Sequence, residues 1–370
     1  MIINTLSTMD HQISRNVKLP LPSGLIAILI RSNRRVYKLI IFLISILLIV
    51  SGLARLYFSN RKVTLSIDRL DRIWNRIYDI SIGFCILVLI FNRNCYNQFI
   101  IELDELIPSQ FKPLVGQYIV RRRKYLQLCT LISVLYELFY MFSVEPFVSL
   151  LSKKIVSNPM IFQLIGLTIL RLIYSVAWIN YHIFLAEICV HLQSIFIGIF
   201  ANIESIDKQN RNLFDQIRFA RLIYFEAGEM VKRLDSYLIL SILSFYVYTI
   251  GTCHLNFLGL FDNETPPILN CIYFIGETVY LVTITYQLVY VNWLSVKSYT
   301  KVYSLSFGSP SLEVVNEVNL FLTRISGHDI GFTFCKLFVI TSKFVSSLAT
   351  ISLTIALAVP SFLNHNCINN

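Results

Sequence analysis

The chain has 370 residues, of which 55% are hydrophobic, 14% are aromatic and only 15% are charged. Soluble domains carry about 25% charged residues. This composition, with a mean hydropathy of +0.63, therefore excludes an ordinary soluble protein and indicates a multi-span membrane protein. The net charge of +10 is typical of basic cytoplasmic loops and does not require a nucleic-acid partner.

Seven apolar segments are predicted to cross the membrane as helices, since about 20 apolar residues span a bilayer. In chain order they are 36–58, 74–91, 126–151, 160–203, 236–260, 268–293 and 332–363. The fourth is much longer than a bilayer is thick, so it is expected to extend beyond the membrane. The predicted fold class is all-α, a polytopic membrane protein with seven transmembrane helices.

Lysine and arginine residues in the connecting segments determine the predicted orientation. If the N-terminus is inside, the cytoplasmic segments hold 21 Lys and Arg residues and the opposite side holds 7. A cytoplasmic N-terminus and an extracellular C-terminus are therefore predicted, which disfavours a G-protein-coupled receptor. The predicted domains are a cytoplasmic segment 1–35, a seven-helix domain 36–363 and an extracellular tail 364–370.

The segments 183–235 and 294–331 are predicted to be cytoplasmic helical extensions that pack together, because apolar residues recur there at helical spacing. The predicted packing faces are Leu213, Ile217, Ala220, Ile223, Ala227 and Val231 in the first, and Leu312, Val315, Val318, Leu320 and Leu322 in the second. The basic stretch from Tyr118 to Tyr125 is expected to orient the third span and to contact anionic lipid.

The last apolar segment combines the absence of charge with many hydroxyl groups. No charged side chain occurs from Phe344 to Asn370, yet the segment contains Ser346, Ser347, Thr350, Ser352 and Thr354. Small hydroxyl residues favour either close helix packing or the wall of a water-filled pore. Both interpretations remain open at this point.

Charged residues inside predicted spans are candidates for function, because burying a charge in lipid is costly. Together with aromatic residues at the same inferred depth they form a candidate ligand pocket, since small-molecule sites are mostly apolar with a few polar groups. Its predicted members are Glu137, Tyr140, Arg171, Tyr174, Trp178, Tyr248, Glu277 and Tyr280. The alternative is a structural ion pair between Arg171 and Glu137 or Glu277.

Enzymatic and metal chemistry have little support in the sequence. The eight cysteines and six histidines are dispersed, with no CxxC pair and no metalloprotease motif. No catalytic residue, metal or cofactor is therefore predicted. A secondary transporter remains an alternative, although no internal repeat is found. Asn263, in the triplet Asn263-Glu264-Thr265, is a candidate glycosylation site on the outer side.

This pattern resembles the insect gustatory receptors of the seven-span insect chemoreceptor superfamily. The resemblance includes the inverted orientation, the cytoplasmic helical extensions and a last span that almost ends the chain. In that family the last span carries Thr-Tyr, five apolar residues and Gln-Phe. Here Thr354 and Phe362 match, whereas Ile355 replaces Tyr, Ser361 replaces Gln, and Pro360 interrupts the apolar run.

The resemblance implies a taste receptor in the plasma membrane of a sensory neuron. It implies a ligand-gated, non-selective cation channel, assembled as a homo- or hetero-tetramer with related subunits and opened by a small-molecule tastant. The last helix would line the pore, where we expect Thr350, Thr354, Ser361 and Phe362. The replacement of Gln by Ser also leaves open a non-conducting partner subunit.

Overall fold

The computed structural model describes residues 18–32, 34–59, 67–144, 158–207, 212–260, 267–307, 311–327 and 329–368. Its helices are α1 (Leu25–Arg31), α2 (Arg35–Ser59), α3 (Ile67–Phe91), α4 (Arg93–Leu106), α5 (Lys112–Val144), α6 (Asn158–Glu204), α7 (Leu213–Gly259), α8 (Pro267–Lys297), α9 (Tyr299–Ser304), α10 (Leu312–Ser326) and α11 (Ser342–Ile368). A 3-10 turn, Ser109–Phe111, precedes α5, and an antiparallel hairpin of β1 (Thr333–Phe334) and β2 (Phe338–Val339) precedes α11.

Five helical stretches within these residues are long and apolar enough to cross a membrane. They are Arg35–Tyr57, Ile73–Phe91, Thr168–Glu204, Leu213–Gly259 and Asn270–Ser304. The remaining two predicted spans fall in α5, with 33 residues, and α11, with 27 residues. At about 1.5 Å per residue both also exceed the ~30 Å of a bilayer core. The predicted all-α, multi-span membrane fold is thereby confirmed.

The first half of α7 packs as its sequence periodicity predicts. Every residue of the predicted face is buried: Leu213, Ile217, Ala220, Ile223, Ala227 and Val231. α7 contacts α10 along this half, and the ion pair between Arg221 and Glu317 joins the two helices. The 47-residue helices α6 and α7 thus run from the membrane into a packed platform on the predicted cytoplasmic side.

The predicted packing face of α10 is partly wrong. Leu312 and Leu320 are 76% and 57% exposed, whereas Val318 is fully buried. The face that packs inward instead consists of Val314, Val318, Phe321, Leu322 and Ile325. These positions follow the helical spacing of three and four residues, and the predicted set mixed residues from both sides of the helix.

The last apolar segment begins as a hairpin and not as a helix, which corrects the predicted span 332–363. The turn of the hairpin has positive φ at Cys335 (53°) and Lys336 (59°). Its first strand is attached to α7, because the Asp235 carboxylate accepts hydrogen bonds from the Thr333 amide at 2.7 Å and the Thr333 hydroxyl at 2.6 Å. Lys336 consequently lies in a turn, and α11 starts only at Ser342.

A buried carboxylate on α6 holds the segment that leads into α1. Glu187 is 3% exposed and accepts hydrogen bonds from the Ser23 hydroxyl at 3.0 Å and the Gly24 amide at 2.9 Å. The Arg123 guanidinium lies 3.6 Å from the same carboxylate. Charge-assisted hydrogen bonds of this kind are stronger than neutral ones, so Glu187 connects three parts of the chain.

We expect Glu187→Ala to destabilise the folded protein by about 1–3 kcal/mol, because it removes a buried carboxylate whose hydrogen bonds to Ser23 and Gly24 involve a charged acceptor. The thermal midpoint of the detergent-purified protein should fall by several degrees. Glu204→Ala is the matched control, since it removes the same charge from an exposed position on the same helix and should leave the midpoint unchanged. Equal midpoints for the two variants would contradict the role given to Glu187.

Candidate functional site

A cluster of aromatic side chains surrounds His182, which lies within α6 and is 2% exposed. The Trp178 and Tyr280 rings lie 4.8 Å from the imidazole, and the Phe245 ring lies 5.6 Å away, measured between centroids. Trp178 and Tyr280 also stack on each other at 4.7 Å. Helices α6, α7 and α8 therefore converge on one buried imidazole.

Tyr78 of α3 completes this cluster, and the hydrogen bonds of His182 show its tautomer. The His182 Nδ1 atom lies 2.8 Å from the Trp178 carbonyl, which can only accept, so Nδ1 carries the proton. Nε2 then accepts a hydrogen bond of 2.7 Å from the Tyr78 hydroxyl. The Tyr78 ring stacks on Tyr248 at 3.5 Å. We call these six side chains the aromatic cage: Tyr78, Trp178, His182, Phe245, Tyr248 and Tyr280.

Two polar contacts between α3 and α7 hold the cage on one side. The Trp74 indole N–H donates to the Tyr248 carbonyl at 3.1 Å, and the Tyr248 hydroxyl donates to the Asn75 side-chain oxygen at 2.7 Å. The indole lies directly on Gly251, where an added Cβ would come within 2.4 Å of the ring. Only glycine therefore allows this approach of the two helices.

Glu277 supplies an acidic group next to the cage. Its side chain is buried, with 7% exposure, and lies within electrostatic range of the Tyr78 phenol and the Cys253 thiol. The cage thus combines flat apolar rings, one hydrogen-bonded imidazole and one carboxylate. A small aromatic molecule with a hydroxyl or amino group fits this chemistry.

The structure divides the predicted pocket residues into two groups. Trp178, Tyr248 and Tyr280 belong to the aromatic cage, with Glu277 beside it. Tyr174 instead donates to the Leu48 carbonyl at 3.0 Å, so it faces α2.

The second group consists of Tyr174 and Arg171, which lie among basic side chains. The Arg55 guanidinium lies 5.2 Å from the Tyr174 ring centroid. Arg171 lies within electrostatic range of Asp79, whose carboxylate pairs with Arg76 at 3.2 Å. The described side chains at this end of α2, α3 and α6 therefore bring three guanidinium groups around one carboxylate.

Several predicted positions lie outside the described part of the structure. Asn263 falls in the segment 261–266, and the side chains of Glu137, Tyr140, Ser361 and Phe362 are also outside it. Their assignments to the glycosylation site, the pocket and the pore stay predictions. Among the residues that are described, no group of three or more His, Cys, Asp or Glu side chains could hold a metal ion.

The two sides of α11 differ in what they contact. Ser346, Thr350 and Thr354 recur at every fourth residue, so they share one face, and all three are exposed in the single chain. The hydroxyls of Thr350 and Thr354 donate to the carbonyls four residues earlier, at 3.0 and 2.9 Å. On the opposite side the Ser352 carbonyl lies 3.1 Å from His254 Nε2 of α7. The hydroxyl-bearing face consequently points away from its own bundle.

A continuous series of aromatic contacts joins the cage to the start of α11. Phe245 of the cage contacts Tyr246 at 5.3 Å, and Tyr246 contacts Phe344 of α11 at 6.3 Å. Phe344 in turn packs on Phe334 of the hairpin at 5.8 Å. Since Asp235 also holds the hairpin, α7 contacts both the cage and the last helix.

Comparison with known structures shows what this fold resembles. The insect olfactory receptor OR5 from Machilis hrabei matches with a TM-score of 0.64 over 96% of this chain and 98% of that chain, at 13% sequence identity. The same receptor in complex with eugenol matches with a TM-score of 0.60 over 94% and 95% of the two chains, at 16% identity. No protein-family profile and no curated sequence matches the chain. At these identities the likeness establishes a shared fold.

We expect Tyr78→Phe to lower the thermal midpoint of the purified protein, because it leaves the buried His182 Nε2 atom without its donor. An unsatisfied buried acceptor costs about 1–3 kcal/mol. Tyr299→Phe removes the same hydroxyl from an exposed ring, where water replaces the lost contact, and should have no effect. Two equal midpoints would show that the hydrogen bond between Tyr78 and His182 does not stabilise the fold.

Proposed function

We propose that the chain is a subunit of a ligand-gated, non-selective cation channel that detects small molecules, and more narrowly a gustatory receptor in the plasma membrane of a sensory neuron. The observation that carries this proposal is the orientation of α11. Its hydroxyl face points away from the bundle, while Ser352 on the opposite side contacts α7. When several copies of the chain assemble around a central axis, the polar faces of such helices can line a water-filled pore.

Three further observations support the proposal. The fold is that of a protein solved as an olfactory receptor, also in complex with eugenol, which supports a small organic ligand. The aromatic cage lies in the predicted outer part of the bundle and can contact such a molecule. The departures from the last-span motif of the gustatory receptors, at Ile355, Pro360 and Ser361, lie beyond Thr354, so they leave the exposed hydroxyl face unchanged.

The cage is closed in this structure, because Tyr78 and His182 are only 3% and 2% exposed. A ligand must therefore separate some of the rings, for example the stacked pair of Tyr78 and Tyr248, and can then stack on Trp178. Their movement would be transmitted through Phe245 and Tyr246 to Phe344. The proposed gating step is a shift of α11 relative to α7. The ligand binds the conformation with separated rings more tightly, so it increases the population of the shifted state.

The experiment is a current recording from the purified chain in planar lipid bilayers. Eugenol is the first probe, followed by small aromatic compounds with one hydroxyl or amino group. We expect a ligand-evoked cation current. Trp178→Leu should raise the half-maximal concentration by about 2–10-fold, the contribution of an aromatic pair, without changing the maximal current. Tyr299→Leu, far from the cage, should leave both unchanged.

The pore is tested in the same recordings by Thr354→Lys. In an assembly with α11 at its axis, this change adds a ring of positive charge, and we expect at least a tenfold loss of cation current. Thr354→Ser keeps the hydroxyl and should preserve the current. A current that is indifferent to Thr354→Lys would contradict a pore along α11. Stoichiometric uptake of the probe without current would favour a transporter.

A further inference from the structure

The predicted cytoplasmic end of α8 carries three stacked aromatic rings, of which the outer two are exposed. Tyr286 and Tyr290 stack at 5.4 Å, and Tyr290 and Trp293 at 5.1 Å. They share one face because they are four and three residues apart. Tyr286 and Trp293 are 46% and 50% exposed. Aromatic residues concentrate at the level of lipid headgroups, so this stack is suited to the membrane boundary.

A basic side chain lies at each end of the stack. The Arg122 guanidinium is 5.1 Å from the Tyr290 ring centroid and 6.0 Å from that of Tyr286. The Lys297 ammonium is 5.5 Å from the centroid of Trp293. Tyr290 and Lys297 are seven residues apart, which corresponds to about 10 Å along the helix. The two cations contact different rings of the stack, so Lys297 lies toward the end that is farther from the membrane centre.

Arg122 is held in position without a carboxylate. Its Nε–H donates to the Tyr118 hydroxyl at 3.1 Å, which donates to the Gln193 side-chain oxygen at 2.7 Å. Burial raises the pKa of Tyr118 to about 12, so this phenol keeps its proton. The neighbouring Arg123 forms an ion pair with Glu187. Among the described residues, neither Arg122 nor Lys297 forms an ion pair.

We propose that Arg122 and Lys297, with the rings of Tyr286, Tyr290 and Trp293 between them, bind a phospholipid of the cytoplasmic leaflet whose headgroup carries a second phosphate. Arg122 lies at the depth of the phosphodiester, and its guanidinium has N–H groups beyond the one given to Tyr118. Lys297, at the Trp293 end of the stack and farther out, meets the second phosphate. The exposed rings cover the glycerol and the upper acyl chains.

The test measures headgroup preference at Trp293 alone. The full chain with Trp74→Phe and Trp178→Phe keeps Trp293 as its single tryptophan, since the sequence contains three. It is reconstituted in vesicles of brominated phosphatidylcholine, which quenches a lipid-exposed indole. Unbrominated phosphatidylinositol 4-phosphate, phosphatidylglycerol or phosphatidylcholine is then added, and the relief of quenching gives the relative affinity of each lipid.

Each basic group near the surface contributes about fivefold. Phosphatidylcholine carries the same phosphodiester, but its choline cation offsets that charge. We therefore expect phosphatidylglycerol to bind about fivefold, and phosphatidylinositol 4-phosphate about 25-fold, more tightly than phosphatidylcholine. Lys297→Gln should lower the preference for phosphatidylinositol 4-phosphate from about 25-fold to about fivefold. The preference for phosphatidylglycerol should stay unchanged. Arg122→Gln should weaken both anionic lipids, whereas Arg122→Lys should keep most of the preference.

Arg121→Gln is the matched control, because it removes the same charge from the neighbouring, exposed position of α5. It should change the relative affinity of neither anionic lipid. Each variant is compared as the species that elutes in a single symmetric peak on size-exclusion chromatography. An equal loss in Arg121→Gln would show general surface attraction and overturn the site. So would equal relief by all three lipids, or the absence of quenching at Trp293, which would mean that another protein surface covers it.

Discussion

A polar group at membrane depth must find its partner within the protein or in water, because the lipid core offers none. This constraint explains the main features of the bundle. His182 satisfies both of its nitrogens inside the cage, through the Trp178 carbonyl and the Tyr78 hydroxyl. The hydroxyls of Thr350 and Thr354 bond to their own helix, yet both side chains are exposed to the surroundings of the single chain. The hydrogen bonds are thus satisfied in both places, but only the cage is buried.

α7 connects these two regions. In its middle it carries Phe245, which belongs to the cage, and Tyr246, which contacts α11. On the predicted cytoplasmic side Asp235 attaches the hairpin before α11, and farther out Arg221 pairs with α10. In the proposed gating step, a displacement at the cage is transmitted to the start of α11 through these contacts.

Long-range periodicity predicted the helices well and the individual contacts only in part. The inward face of the first half of α7 and the long fourth helix were predicted correctly, since burial of an apolar face depends on spacing alone. Tyr78 was missed because it lies between Arg76 and Asp79, in the segment with the weakest membrane character. His182 was missed because one histidine in an apolar helix does not indicate which helices converge on it.

The hairpin before α11 was missed for a different reason. The segment is as apolar as a membrane helix, and nothing in its composition indicates that Asp235, almost a hundred residues earlier, accepts hydrogen bonds from Thr333. Tyr174 and Arg171 likewise lie apart from the cage because of their partners on other helices. Tyr174 bonds to Leu48 on α2, and Arg171 interacts with Asp79 on α3. Residue type and depth identified the region, but the direction of each side chain depends on neighbouring helices.

The proposed channel requires that the hydroxyl face of α11 faces a shared aqueous axis. Single-particle imaging of the purified full chain tests this directly, because it reports the symmetry of the particle and the position of the last helix. We expect a fourfold particle with α11 at the axis and Thr350 and Thr354 facing it. A monomer, or an assembly in which this face of α11 contacts lipid, would contradict it.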